Sequence, residues 1–167
     1  MMGEQAKAYP AAGRDAPSAA LQPLLTQLLK LAAMISRPMD DAVAAPNGLS
    51  LTELKVLMCL LGEGAHAGHE ITALMAIPPM NVSRALAALT ARGWIEPASD
   101  PANRRRRPVR LSARGREICA AMDDDVNVVA HDLLGALGAA EVEALEGAVA
   151  AILGRIERWP AAGRDPR

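Results

Sequence analysis

Arg104, Arg105, Arg106 and Arg107 follow one another without interruption. Four adjacent guanidiniums repel one another and are costly to bury, so such a run needs anions nearby. Set in a loop between short strands, it suits the phosphates and the minor groove of a duplex. A second group stands upstream at helical spacing: Met80, Asn81, Ser83, Arg84 and Ala87. Arginine can pair with a guanine edge, asparagine with adenine or a phosphate, and Met80 or Ala87 can meet a thymine methyl. Small residues along the same face would let a helix sink into a major groove.

Charge is segregated along the chain although the formal total is only −1. Between Arg84 and Arg116, nine arginines stand against Glu96 and Asp100, leaving +7. From Glu117 to Glu157, nine acids stand against Arg155, leaving −8. One stretch suits a polyanion and the next repels it.

Other chemistry is thinner. His66, His69 and Glu70, with Asp123, Asp124, Asp125, His131 and Asp132, could be assembled into a metal site, but histidines and acids near helix starts more often cap or face solvent. No metal or cofactor is expected. Cys59 and Cys119 lie inside apolar helical patterns, Cys59 as an inert buried thiol and Cys119 as interfacial packing. With no paired cysteines and no signal core, the expectation is a cytoplasmic protein. No stretch reads as a membrane span. There is no phosphate loop, nucleophile elbow or zinc-protease pair, so no enzyme is expected.

The elements that would position the arginines follow from periodicity. Residues 1–18 read as a flexible tail, and Pro10-Ala-Ala-Gly-Arg-Asp15 recurs as Pro160-Ala-Ala-Gly-Arg-Asp165 in a second tail, 160–167. Leu21, Leu24, Leu25, Leu28, Leu29 and Leu31 predict a helix from Ala19 to about Arg37, stopped by Pro38. That stripe is too rich for a small domain to cover, which points to a subunit interface. Ser50-Leu-Thr-Glu53 has the form of a capping box and opens a helix ending near Gly62–Gly64. A short helix from about His69 to Ala76 comes next, and Pro78-Pro79 begins another that ends at Gly93. On this last helix Leu86 and Leu89 fall within roughly 40° of Val82 and form the buried stripe with it. The opposite face holds Met80, Arg84, Ala87 and Ala91, flanked by Asn81, Ser83 and Ala88. Trp94–Pro97 and Pro108–Leu111 read as two strands around a loop that contains the arginine run. A long helix capped by Ser112 reaches about Leu134, and a final one covers about Ala139–Arg158, with Val142, Leu145, Val149, Ile152 and Ile156 on one side. The predicted fold is mainly α with a small β-hairpin wing: a winged helix-turn-helix at 49–116, an N-terminal dimerisation helix and linker at 19–48, and C-terminal dimerisation helices at 117–159.

Asp100-Pro101-Ala102-Asn103-Arg104-Arg105, then Val109-Arg110-Leu111-Ser112 and Gly115, resemble the wing of the MarR (multiple antibiotic resistance) family of bacterial regulators. Val82-Ser83-Arg84 and Leu89-Thr-Ala-Arg-Gly93-Trp94-Ile95 are similar to that family's recognition helix and its exit into the wing. The likeness spans about Leu49–Ile118. Asn103 departs from it, replacing the usual Asp, which would hold a wing arginine by a charge-assisted bond. Ser112, where the family has Thr, is a mild change.

The resemblance implies a homodimer joined through its first and last helices, which reads a pseudo-palindromic operator in double-stranded DNA and represses transcription until a small-molecule effector releases it. Met80, Asn81, Ser83, Arg84 and Ala87 would read the major groove, and Asn103 with Arg104–Arg107 would grip the wing's phosphates or minor groove. By the same analogy, Leu31, Met34, Met58 and Met122 are candidate linings of an effector pocket. Two alternatives stay open: a ligand- or protein-binding dimer with only non-specific DNA affinity, and a redox- or metal-responsive regulator.

Overall fold

Local signals open α3 and α6 and bound α5, and the order of the helices puts one amphipathic helix at the centre of the core. A computed structural model describes residues 18–99 and 106–159. The repeated Pro-Ala-Ala-Gly-Arg-Asp segments, Asn103, Arg104 and Arg105 lie outside the described residues.

Helix α1 (Ser18–Met34) leads, after a break at Ile35, into α2 (Ser36–Met39), a π-helical turn (Asp40–Ala44) and a 3-10 turn (Ala45–Asn47). The expected stop at Pro38 does not occur. Pro38 falls in the first turn of α2, where a missing N–H removes no helical bond. The path ends instead at Gly48, whose φ of +64° suits a residue without a side chain.

Helix α3 (Leu51–Glu63) supplies Leu54, Val56, Leu57 and Leu60 to the core. Strand β1 (His66–Ala67) and helices α4 (Gly68–Met75) and α5 (Pro79–Ala91) follow. Strands β2 (Ile95–Pro97) and β3 (Pro108–Leu111) form the hairpin. The sheet has three antiparallel strands in the order β1-β3-β2, one more than expected. Strand β1 is only two residues long, too short to show an alternating pattern, and its partner comes about forty residues later.

The expected long helix after Ser112 is two: α6 (Ala113–Ala121) and α7 (Asp123–Leu134), separated at Met122. Helix α8 (Ala139–Glu157) closes the described chain. Val43, Ile71, Val82, Leu89, Trp94, Ile95, Leu111, Cys119, Met122 and Val129 complete the core around α3. The architecture is mainly helical with a small antiparallel sheet, a winged helix fold.

Helices α1 and α8 contribute nothing to that core. Leu25, Leu29, Leu31, Ile152, Leu153 and Ile156 are exposed, and no residue of α8 is buried. Contrary to the sequence reading, the helical run Ala19–Asn47 is long and apolar enough, by length and composition, to cross a membrane. Its leucines are those of the stripe, exposed except for the half-buried Leu28, and Gln22, Thr26, Gln27 and Lys30 are interleaved with them at helical spacing.

Candidate nucleic-acid interface

The α5 surface is built from its ends inward. At its C-terminal end, the Arg92 Nη2 donates to the Gly48 carbonyl at 3.0 Å and lies 3.7 Å from Glu53 Oε1. The same guanidinium sits 5.0 Å above the Trp94 ring. Glu53 is itself held at the start of α3: it accepts the Ser50 N–H at 2.7 Å while Ser50 Oγ accepts the Glu53 N–H at 3.2 Å. Arg92 therefore ties the end of α5 to the start of α3. At the other end Pro78 and Pro79 enter the helix, and the turn from α4 passes through Ala76 at φ 50°.

Val82, Ala85 and Leu89 form the buried stripe of α5, with Leu86 half-buried beside them. Met80, Asn81, Ser83, Arg84 and Ala87 are all exposed on the remaining surface, and Met80 is 65% accessible. Two grooves flank them. One, of about 270 Å³, is lined by Asn81 and Arg84 with Ser50, Thr52 and Glu53 of the α3 start. The other, of about 580 Å³, runs between α4 and α5 and is lined by Ser83 with His69, Glu70 and Thr72.

The wing begins where α5 ends. Ile95 pairs with Leu111, Glu96 with Arg110 and Pro97 with Val109. Across that pair Arg110 donates to Glu96 Oε1 at 2.9 Å. Ser112 seals the return: its Oγ donates to the Gly93 carbonyl at 2.7 Å and accepts the Gly115 N–H at 3.0 Å, and its own N–H donates to Trp94. Gly115 packs against the Trp94 carbonyl so closely that a Cβ there would lie 1.9 Å from the oxygen.

Of the described arginines in the run, Arg107 is exposed and Arg106 is engaged within the protein. Arg106 makes two 2.8 Å bonds to the Glu70 carboxylate, Nε to Oε1 and Nη2 to Oε2. Glu70 Oε2 also accepts the Ala67 N–H at 2.7 Å. These bonds, that from Arg106 foremost, hold the Glu70 carboxyl down at about 2. The carboxylate weighed for a metal site is thus committed to an arginine, and His69 beside it is exposed.

The candidate effector residues differ in burial. Met122 is buried in the core, whereas Leu31, Met34 and Met58 are exposed, and none of the four lines either groove. Cys119, expected at an interface, lies in the core with Cys59, and burial pushes both thiols up. Sequence reasoning missed Arg92 and Glu70 as structural partners of the interface. Glu70 stands three residues beyond Ala67, the spacing of a helix-capping acid, which the later helix start assumed at His69 concealed.

Residues 49–106 match the model of the MarR family. No curated protein matches the sequence. Three solved structures share the fold. NMB1585, a MarR family regulator from Neisseria meningitidis, is 19% identical with a TM-score of 0.60, over 83% of this chain and 94% of that one. A cysteine-to-serine mutant of E. coli MarR, complexed with operator DNA, is 21% identical with a TM-score of 0.60, over 83% and 99%. Bordetella bronchiseptica BpsR, whose DNA binding is regulated by 6-hydroxynicotinic acid, is 23% identical with a TM-score of 0.61, over 77% and 98%. Residues 49–106 are therefore similar to the MarR family, within a winged helix fold that these solved structures share.

Proposed function

We propose that this protein is a sequence-specific regulator of transcription that binds double-stranded DNA as a homodimer. The observation that carries the reading is the exposed face of α5, which presents Met80, Asn81, Ser83, Arg84 and Ala87 beside a wing continuous with the arginine run. A similar fold in complex with operator DNA supports it. Arg84 and Asn81 read base edges, and Arg104, Arg105 and Arg107 bind phosphates or enter the minor groove. The unpartnered leucines of α1 and isoleucines of α8 supply the dimer surface. A two-fold dimer places two α5 helices about one DNA turn apart on a pseudo-palindromic site.

Repression relieved by a small molecule is the regulatory mode we propose, supported by the ligand-regulated DNA binding of BpsR. Such an effector must bind the DNA-competent and DNA-incompetent dimers unequally.

The test is a mobility shift of the full chain on duplexes selected from a random pool, with excess random competitor at near-physiological salt. A discrete, competitor-resistant complex of dimer stoichiometry is expected. Binding that random competitor removes entirely would instead favour the non-specific reading.

A further inference from the structure

We propose that Glu70 and Arg106 form a clamp that sets the angle of the wing against α5, with Arg106 serving the DNA site as a positioning residue and not as a phosphate contact. The inference rests on the DNA-binding reading above and narrows it. The bond is two-pronged, 2.8 Å on each arm, and both side chains are about three-quarters covered (Arg106 28% and Glu70 27% accessible). Arg106 Nη2 also reaches the Ala65 carbonyl at 3.4 Å, and Glu70 holds the Ala67 N–H. One carboxylate thus joins the end of β1, the first turn of α4 and the residues leading into β3.

Helix α4 packs on α5, where Leu86 approaches Gly68 closely enough that a Cβ there would meet it at 3.2 Å. Fixing the wing to α4 therefore fixes it relative to the reading surface. A phosphate that recruited Arg106 would have to break a two-bond ion pair and approach the Glu70 charge. Arg107, next in the chain, is exposed and meets neither obstacle. With the Glu70 carboxyl held at about 2, the pair is fully ionised at neutral pH.

The test measures binding of the full chain to a fluorescein-labelled random-sequence duplex of about 30 base pairs, across a salt series. For Arg106→Gln, affinity is expected to fall about three- to tenfold with no change in the slope of log affinity against log salt. Arg107→Gln is expected to lower that slope by about 1. Glu70→Gln should weaken binding by a factor like that of Arg106→Gln, and the double variant should be no worse than either single one. Arg106→Lys keeps the charge but not the two-pronged geometry, so weaker binding at unchanged slope is again expected, which covers the case of a variant that fails to fold.

Tighter binding by Glu70→Gln, a slope lowered by about 1 in Arg106→Gln, or full affinity in Arg106→Lys would each overturn the clamp while leaving the DNA reading intact. Absence of salt-dependent duplex binding by the unaltered protein would overturn the DNA reading, and the clamp's role with it.

Discussion

A helical glycine whose missing side chain makes room for backbone is hard to replace, because backbone cannot swing aside. Gly115 is such a residue, with the Trp94 carbonyl oxygen 1.9 Å from where a Cβ would sit. Gly115→Ala should cost about 2–3 kcal/mol, read as a lower urea midpoint at unchanged slope. A variant as stable as its parent would mean that α6 can slide away from the wing. Arg84 is exposed and carries no such structural burden. Replacing it with Ala should therefore leave stability within about 0.5 kcal/mol and relax base preference in a selection from random duplexes. A uniform loss of affinity for all sequences would place Arg84 on phosphates instead.

Between elements, the acid limb of stability should report the Glu70 contacts. The folded carboxyl sits at about 2, below the roughly 4.3 of an unfolded glutamate. Its folded pKa is depressed, so the contribution is complete above the unfolded value and is lost as pH falls from about 5 toward 2. Urea titrations over that window should show a shallower decline for Glu70→Gln than for the parent, and parallel declines would deny the coupling. The local signals at this scale were readable in the sequence: Ser50 and Glu53 announced α3, and Pro79 and Gly93 bracketed α5. What could not be read is held by partners far apart in the chain. Arg106 lies 36 residues from Glu70, and Arg92 lies 44 from Gly48. The break at Met122 carries no Gly or Pro to mark it. The continuation past Pro38 was hidden by a rule that holds for helix interiors and not for first turns. For the reading surface, the exposed face of α5 followed from periodicity alone, whereas the commitment of Arg106 required the fold.

For the whole molecule, α1 and α8 keep their apolar residues exposed, and their packing awaits a second surface. The proposed occupant is another copy of the chain. Leu29→Glu combined with Ile152→Glu should convert the dimer to monomer in sedimentation equilibrium. The same change should lower duplex affinity by at least tenfold, because the second half-site no longer binds in the same event. An unchanged mass would remove these faces from the interface. The separation of charge matters at this scale as well. On the proposed reading, +7 on one stretch and −8 on the next would give the chain little net attraction to a duplex but a turning moment that favours arrival wing-first.

The helical path is interrupted at Met122 but its backbone stays right-handed helical there, so α6 and α7 run on from one another. Helix α6 is welded to the wing through Ser112 and the Gly115–Trp94 contact, and α7 extends beyond Met122 for 12 residues, about 18 Å. A tilt of about 10° at Met122 would move the far end of that arm by about 3 Å. A change in how two such arms meet would be delivered to the winged unit as a swing of the whole body. The register of two reading helices on one turn of DNA could then be lost without any distortion of the surface that reads it.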